Sequence, residues 1–121
     1  MALNQEEAKE VLLKESKSIK KAAEKLDSNF LKALNILNET SEKIIVCGIG
    51  KSGHVAKKLA ATFCSTGSTA TFLHASEAVH GDLGVHKNGD AVIFFSNSSA
   101  TTELLTLEPI IRKRGGRMIG T

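Results

Sequence analysis

The stretch from Ile44 to Ser65, IIVCGIGKSGHVAKKLAATFCS, constrains the fold more than any other part of the chain. Ile44, Ile45, Val46 and Cys47 form an apolar run without polar alternation. That is the pattern of a strand covered on both faces, as in a parallel sheet flanked by helices. Gly48, Gly50 and Gly53 then allow a sharp turn and a close approach of the backbone to a ligand. The amphipathic run that follows predicts a helix whose free N–H groups and positive dipole end point at the same place, which suits a phosphate. Lys51, Ser52 and His54 add side-chain chemistry to the turn.

The rest of the chain supplies the elements that such a strand requires. Ala8, Val11, Leu12, Ile19, Ala22, Ala23 and Leu26 recur at a helical period, predicting a helix from Gln5 to Leu26. Asp27 and Ser28 are N-cap candidates, so a second helix is expected to run on to Leu37 with Phe30, Leu31, Leu34 and Leu37 inward. These helices are expected to pack on the sheet domain or on another subunit. Gly67 stops the glycine-turn helix, and Thr69 to Leu73 reads as a second strand. HASEAVHGDLGVHKNGD reads as irregular, and Ala91 to Phe95 as a third buried strand. SNSSATTE is a hydroxyl-rich turn opening a helix that carries Leu104, Leu105, Leu107, Ile110 and Ile111, with Pro109 inside it. Gly115 and Gly116 end that helix, and Arg117 to Ile119 starts a fourth strand.

This alternation predicts an α/β fold with a doubly wound parallel sheet (residues 41–121) preceded by two N-terminal helices (residues 1–40). No helix follows the fourth strand to cover it. We therefore expect an incomplete sheet at Thr121 and a sequence that is part of a longer protein.

Composition narrows the partners. A chain of 121 residues is one domain at most, and 41% apolar with 24% charged residues is ordinary for a globular chain. The net charge of +3 comes without a basic patch interleaved with aromatics, so no nucleic-acid partner is expected. Arg112, Lys113, Arg114 and Arg117 read as a solvated helix end. Cys47 and Cys64 fit no zinc spacing and read as two buried thiols in a reducing compartment. The N-terminus lacks the basic start and apolar core of a signal peptide, and no run approaches about 18 apolar residues. A cytoplasmic protein without a membrane contact is the expectation.

Two stretches carry chemistry. Gly48-Ile49-Gly50-Lys51-Ser52-Gly53 matches G-x-G-x-x-G, but a dinucleotide site next requires an acid about 20 positions on. Ser68 to His74 contains none, and a Walker A loop would need a glycine at Ile45. A phosphate-adapted turn centred on Lys51 remains, against the plainer reading of a tight turn with a solvated lysine. Ser96, Ser98, Ser99, Thr101 and Thr102 put five hydroxyls around the start of a helix, where a plain N-cap needs one. Hydroxyls and helix amides together hold a phosphate without a metal. Glu103 falls one turn inside this second site, where an ordinary first-turn glutamate would also stand. His74, Glu77, His80, Asp82 and His86 match no tight zinc pattern. His80-Gly81-Asp82 reads as polar groups of a flexible loop, facing a substrate or serving the turn alone.

Together these residues resemble the sugar isomerase (SIS) domain, and within it the arabinose-5-phosphate isomerases that supply bacterial Kdo and lipopolysaccharide synthesis. GIGKSGHVAKKLAATFCSTGS, HASEAVHGDLG, DAVIFFSNSS and the Glu103 helix carry the resemblance. GxGKSGH followed by EAxHGDLG is specific to this group, whereas the hydroxyl turn is common to SIS domains.

The resemblance implies an isomerase of carbohydrate metabolism that interconverts D-ribulose 5-phosphate and D-arabinose 5-phosphate, requires no cofactor and forms a tetramer. It implies catalytic roles for Lys51 and Glu103 and substrate contacts for Ser52, Gly67, Ser68 and His80. Ser96, Asn97, Ser98 and Thr101 match its phosphate-holding turn, and His74 stands where members take up a zinc not needed for turnover. The chemistry is coherent, since aldose–ketose isomerisation needs a base for the proton beside a carbonyl and a positive group for the enediolate. Glu103 and Lys51 suit these two roles, in that order or exchanged. Two departures stand out. Ser99 and Ala100 replace a Gly and Glu usual in the family, and the family draws a further Glu and His from sequence beyond position 121. The paired CBS modules often appended to the family would likewise be expected only in sequence beyond position 121. A non-catalytic module that binds or senses a phosphosugar is the alternative, and an interaction domain with an empty pocket a third reading.

Overall fold

In the computed structural model, which describes residues 4–96 and 101–121, the run at Ile44 forms an inner strand, β1 (Ile44–Gly48), buried throughout. It pairs in parallel with β2 (Ala70–His74) on one side and β3 (Ala91–Phe95) on the other, and β3 pairs in parallel with β4 (Arg117–Gly120). The order β2-β1-β3-β4 reverses direction between β1 and β3, which makes their ends the topological switch point.

Both faces of the sheet are covered, as the unbroken apolar runs require. Ile44, Val46 and Ile93 pack with Ala56 and Ala60 of α3 (Gly50–Ser65) on one face. Ile45, Cys47, Val92 and Phe94 lie on the other face. They pack with Leu107 and Ile111 of α5 (Thr101–Lys113) and with Ala75 and Ala78 of α4 (Ala75–Val79). The doubly wound α/β expectation holds, and the predicted strand limits shift by a residue at most. The stretch read as irregular is instead α4 followed by a 3₁₀ helix (Asp82–Val85). Its helices are too short to declare a period, and their small inner faces rest on Ala75, Ala78 and Leu83.

Both crossover helices end in the same way. Gly67 takes φ +98, Ser68 N–H donates to the Phe63 carbonyl at 2.9 Å and Gly67 N–H to Cys64 at 3.3 Å, a Schellman closure. Gly115 and Gly116 repeat it after α5, donating to Arg112 at 3.0 Å and Ile111 at 2.9 Å.

The chain divides into two compact units, the first ending at Lys32 and the second running from Ala33 to Thr121. The first contains α1 (Gln5–Glu24), capped by Asn4 accepting from Glu6 N–H at 2.9 Å, and the opening of α2 (Ser28–Asn38). The break between the helices falls where the sequence put it, with Asp27 Oδ1 accepting from Asn29 N–H at 2.9 Å. No residue of either helix is fully buried. Phe30, Leu31 and Leu34, expected inward, are 44%, 60% and 45% exposed, and only Leu37 packs on the core. Helical periodicity marks an apolar face without supplying the neighbour that covers it. Among the described residues no helix is long and apolar enough to cross a membrane.

The sheet's amino edge is fastened by Asp90, which is 1% exposed. Its carboxylate accepts from Lys43 Nζ at 2.6 Å, Lys87 N–H at 2.7 Å and Lys43 N–H at 3.1 Å. Burial alone would raise its pKa, but the Lys43 ammonium and the two amides outweigh burial and hold it below the ordinary value. Beside it His86 is 4% exposed, and neither ring nitrogen finds a hydrogen-bond partner among the described residues. Burial lowers its pKa, the Asp90 charge works against this, and Lys43 and Arg114 reinforce it.

Candidate functional site

Gly48 and Phe95, the last residues of β1 and β3, are register partners. A single residue, Ile49, separates β1 from α3, so Gly50, Lys51, Ser52 and Gly53 form the helix's first turn rather than a turn ahead of it. Three glycines make this tight passage possible. Gly50 takes φ +59, a conformation costly for other residues. A Cβ on Gly48 would stand 2.9 Å from the Ser52 carbonyl oxygen and 3.0 Å from Gly53 N, and one on Gly53 would stand 3.3 Å from the Gly48 oxygen. Gly48 and Gly53 thus let helix and strand end touch. Ile49 packs into the core, which anchors the turn and leaves Lys51 exposed and Ser52 half-buried.

α5 brings Glu103 to the same edge. Leu107 and Ile111, at i+4 and i+8 from Glu103, are each 1% exposed against the sheet. Glu103 continues their stripe past the end of the core. Its Oε2 is buried and has no hydrogen-bond partner among the described residues. Ser96, half-buried, follows β3 directly, and Thr101 begins α5. Asn97 and Ser98, named with them as phosphate contacts, lie outside the described residues, as do Ser99 and Ala100. Pro109 is accommodated within α5.

His74 ends β2 and caps α4. Ser76 N–H, which can only donate, approaches His74 Nδ1 at 3.3 Å, and the Ser76 hydroxyl lies 2.8 Å from the same atom. Nδ1 is therefore an acceptor, and the neutral ring carries its proton on Nε2. A metal on Nε2 would have to displace that proton, and no cluster of three or more potential ligands exists among the described residues. His80, exposed, sits at the carboxyl end of α4 with its N–H on the Glu77 carbonyl at 3.0 Å, not in a free loop.

The structure thus brings Lys51, Ser52, Ser96, Thr101 and Glu103 to one strand edge, with His74 on the adjacent strand. It does not bring Gly67 and Ser68 there. These follow α3, whose 16 residues span about 24 Å, and lie at the opposite edge beside a cavity of about 320 Å³ with Asn38, Thr40 and Glu42. Cys47 is buried, its thiol pushed up to about 12 by burial, but Cys64, expected buried, is exposed, its thiol donating to the Ala70 carbonyl at 3.1 Å. It stands near the end of α3, past the stripe of Ala56 and Ala60 that covers the sheet. Sequence reasoning did not single out Asp90 or Lys43, although an aspartate three residues after Lys87 is a turn signal.

A parallel sheet with paired helix starts at its switch point defines the class of doubly wound α/β domains, and comparison with known proteins narrows it. Residues 36–120 match the SIS domain, and the chain belongs to that family. It is 43% identical over 95 residues to the arabinose 5-phosphate isomerase KdsD of Pseudomonas aeruginosa, covering 78% of this chain and 29% of that protein. It is 42% identical over 101 residues to the arabinose 5-phosphate isomerase GutQ of Escherichia coli K12, covering 84% and 32%. The chain therefore spans about a third of these curated relatives. Among solved structures, Escherichia coli CFT073 c3406 in complex with arabinose 5-phosphate superposes with a TM-score of 0.84 at 37% identity, over 98% of this chain and 65% of that one. Phosphoheptose isomerase GmhA of Neisseria gonorrhoeae shares the fold, with a TM-score of 0.72 at 17% identity over 96% and 73%.

Proposed function

We propose that this chain carries the site of a sugar-phosphate isomerase acting through an enediolate, with D-arabinose 5-phosphate and D-ribulose 5-phosphate as its substrates. The observation that carries the reading is the buried Glu103 oxygen, without a hydrogen-bond partner among the described residues, on the same edge as Lys51. Burying a carboxylate oxygen without a partner is costly to a fold. Such an oxygen is well suited to accept a proton from a bound carbon acid. Glu103 removes the C2 proton of the aldose, Lys51 stabilises the oxyanion that forms on O1, a proton passes from the C2 hydroxyl to O1, and return of the carbon proton to C1 yields the ketose. Ser96, Asn97, Ser98 and Thr101 hold the phosphate at the start of α5, fixing the carbon chain between the two reacting groups. Ser52 and His80 contact the sugar. Gly67 and Ser68 reach a sugar only from a second copy of the chain, in keeping with a homo-oligomer, and neither role requires a cofactor.

The relatives named for this activity and the sugar-phosphate complex of the structural relative support the reading. Incubating the purified protein with D-arabinose 5-phosphate and following ribulose 5-phosphate by NMR tests it. Conversion is expected, with Lys51→Ala slowing it about 100-fold or more while the sugar still binds. Ser99 and Ala100, where the family usually has Gly and Glu, favour a second reading, a module that binds a phosphosugar without converting it. Saturable binding with no conversion decides for that reading, and no binding at all overturns both.

A further inference from the structure

A small cavity opens beside the Lys51 turn, between α3 and the end of β2. It has a volume of about 160 Å³ and is lined by Gly50, Gly53, His54, Lys57, Phe72 and His74. The four α3 residues are spaced i, i+3, i+4 and i+7, so they form one face of its first two turns. Lys51 is not among them.

The lining has a definite chemistry. Its polar side chains are two imidazoles and an ammonium, and no carboxylate lines it. Two of these donors lie against Phe72. Lys57 Nζ lies over the ring, 5.5 Å from its centroid, and the His74 ring meets it edge-on at 6.4 Å and 88°. With His74 Nδ1 occupied by Ser76, the Nε2–H remains as the donor of that ring. The opening of α3 at Gly50 adds its positive end to the same side.

We propose that this cavity is a second anion site, separate from the Lys51–Glu103 edge, which takes a single phosphate or carboxylate group. Lys57 supplies the charge, and His54 and His74 supply imidazole N–H donors. The space is large enough for one oxyanion. The site is independent of the isomerase reading, because it needs neither Lys51 nor Glu103.

The four histidines give four imidazole signals, which makes the test direct. Inorganic phosphate and, separately, acetate are titrated into the protein while these signals are followed by NMR. Saturable shifts of His54 and His74, with His86 unmoved, are expected for at least one of the two anions. Lys57→Gln should weaken that binding about tenfold, as loss of one charge-assisted hydrogen bond does, and Lys51→Gln should leave it unchanged. Lys57 is exposed on the helix surface, so its replacement leaves the fold intact and the other signals in place. No saturable shift with either anion overturns the proposal. So does binding that survives Lys57→Gln, or that is lost with Lys51→Gln. The readout is binding, so a protein without isomerase activity passes or fails it equally well.

Discussion

Gly48 and Phe95 face each other at the ends of β1 and β3, and this one pair of strand ends leads to both helices of the candidate site. The closeness of the first helix depends on the missing side chain at Gly48. A methyl there would meet the Ser52 oxygen at 2.9 Å and Gly53 N at 3.0 Å, backbone atoms that move only with the whole turn. Gly48→Ala is expected to lower unfolding stability by about 2 kcal/mol, read by urea denaturation, and to displace Lys51. A variant as stable as the parent would show that the turn is not tightly packed.

Much of this arrangement is legible in the sequence, for identifiable reasons. The runs at Ile44 and Ala91 lack polar alternation because both faces of β1 and β3 are covered. Glu103, Leu107 and Ile111 share a helical face by spacing alone, so the inward aim of Glu103 follows from the sequence. Other features depend on tertiary context. The burial of His86 results from packing against the Gly116 backbone, where an added Cβ would collide with the imidazole. The exposure of Phe30 and Leu31 depends on neighbours that periodicity cannot supply. The separation of Gly67 and Ser68 from Lys51 was implicit in the helix between them, once that helix was seen to begin at Gly50.

The two thiols offer a simple check on packing. Cys64 is exposed, whereas Cys47 is buried with its thiol pushed up to about 12. Under native conditions an alkylating reagent is expected to add once, at Cys64, and a second time only after denaturation, as read by mass spectrometry of peptides. Rapid labelling of Cys47 in the native protein would contradict the burial of β1.

His86 gives stability a pH dependence with a definite sign. In the unfolded chain the imidazole titrates near its ordinary 6.5, and in the fold burial lowers its pKa despite Asp90. Above that value both states leave the ring neutral. As pH falls through it, the unfolded state takes up a proton that the folded state does not, and stability declines until the lower folded pKa is passed. The urea midpoint should fall between about pH 7.5 and about pH 5.5, with a shallower fall in His86→Leu. An equal slope in both proteins would show that His86 does not titrate differently on folding.

In the proposed function Glu103 takes a proton from carbon within a bound sugar phosphate. Its most direct test follows the C2 proton of D-arabinose 5-phosphate by NMR in deuterated water, because a base that removes this proton exchanges it with solvent even when little ketose accumulates. Glu103→Gln replaces the carboxylate at nearly the same size. C2 exchange is expected with the parent protein, at a rate at least about 100-fold lower with Glu103→Gln and with unchanged sugar binding. Exchange that proceeds equally fast in Glu103→Gln would contradict it.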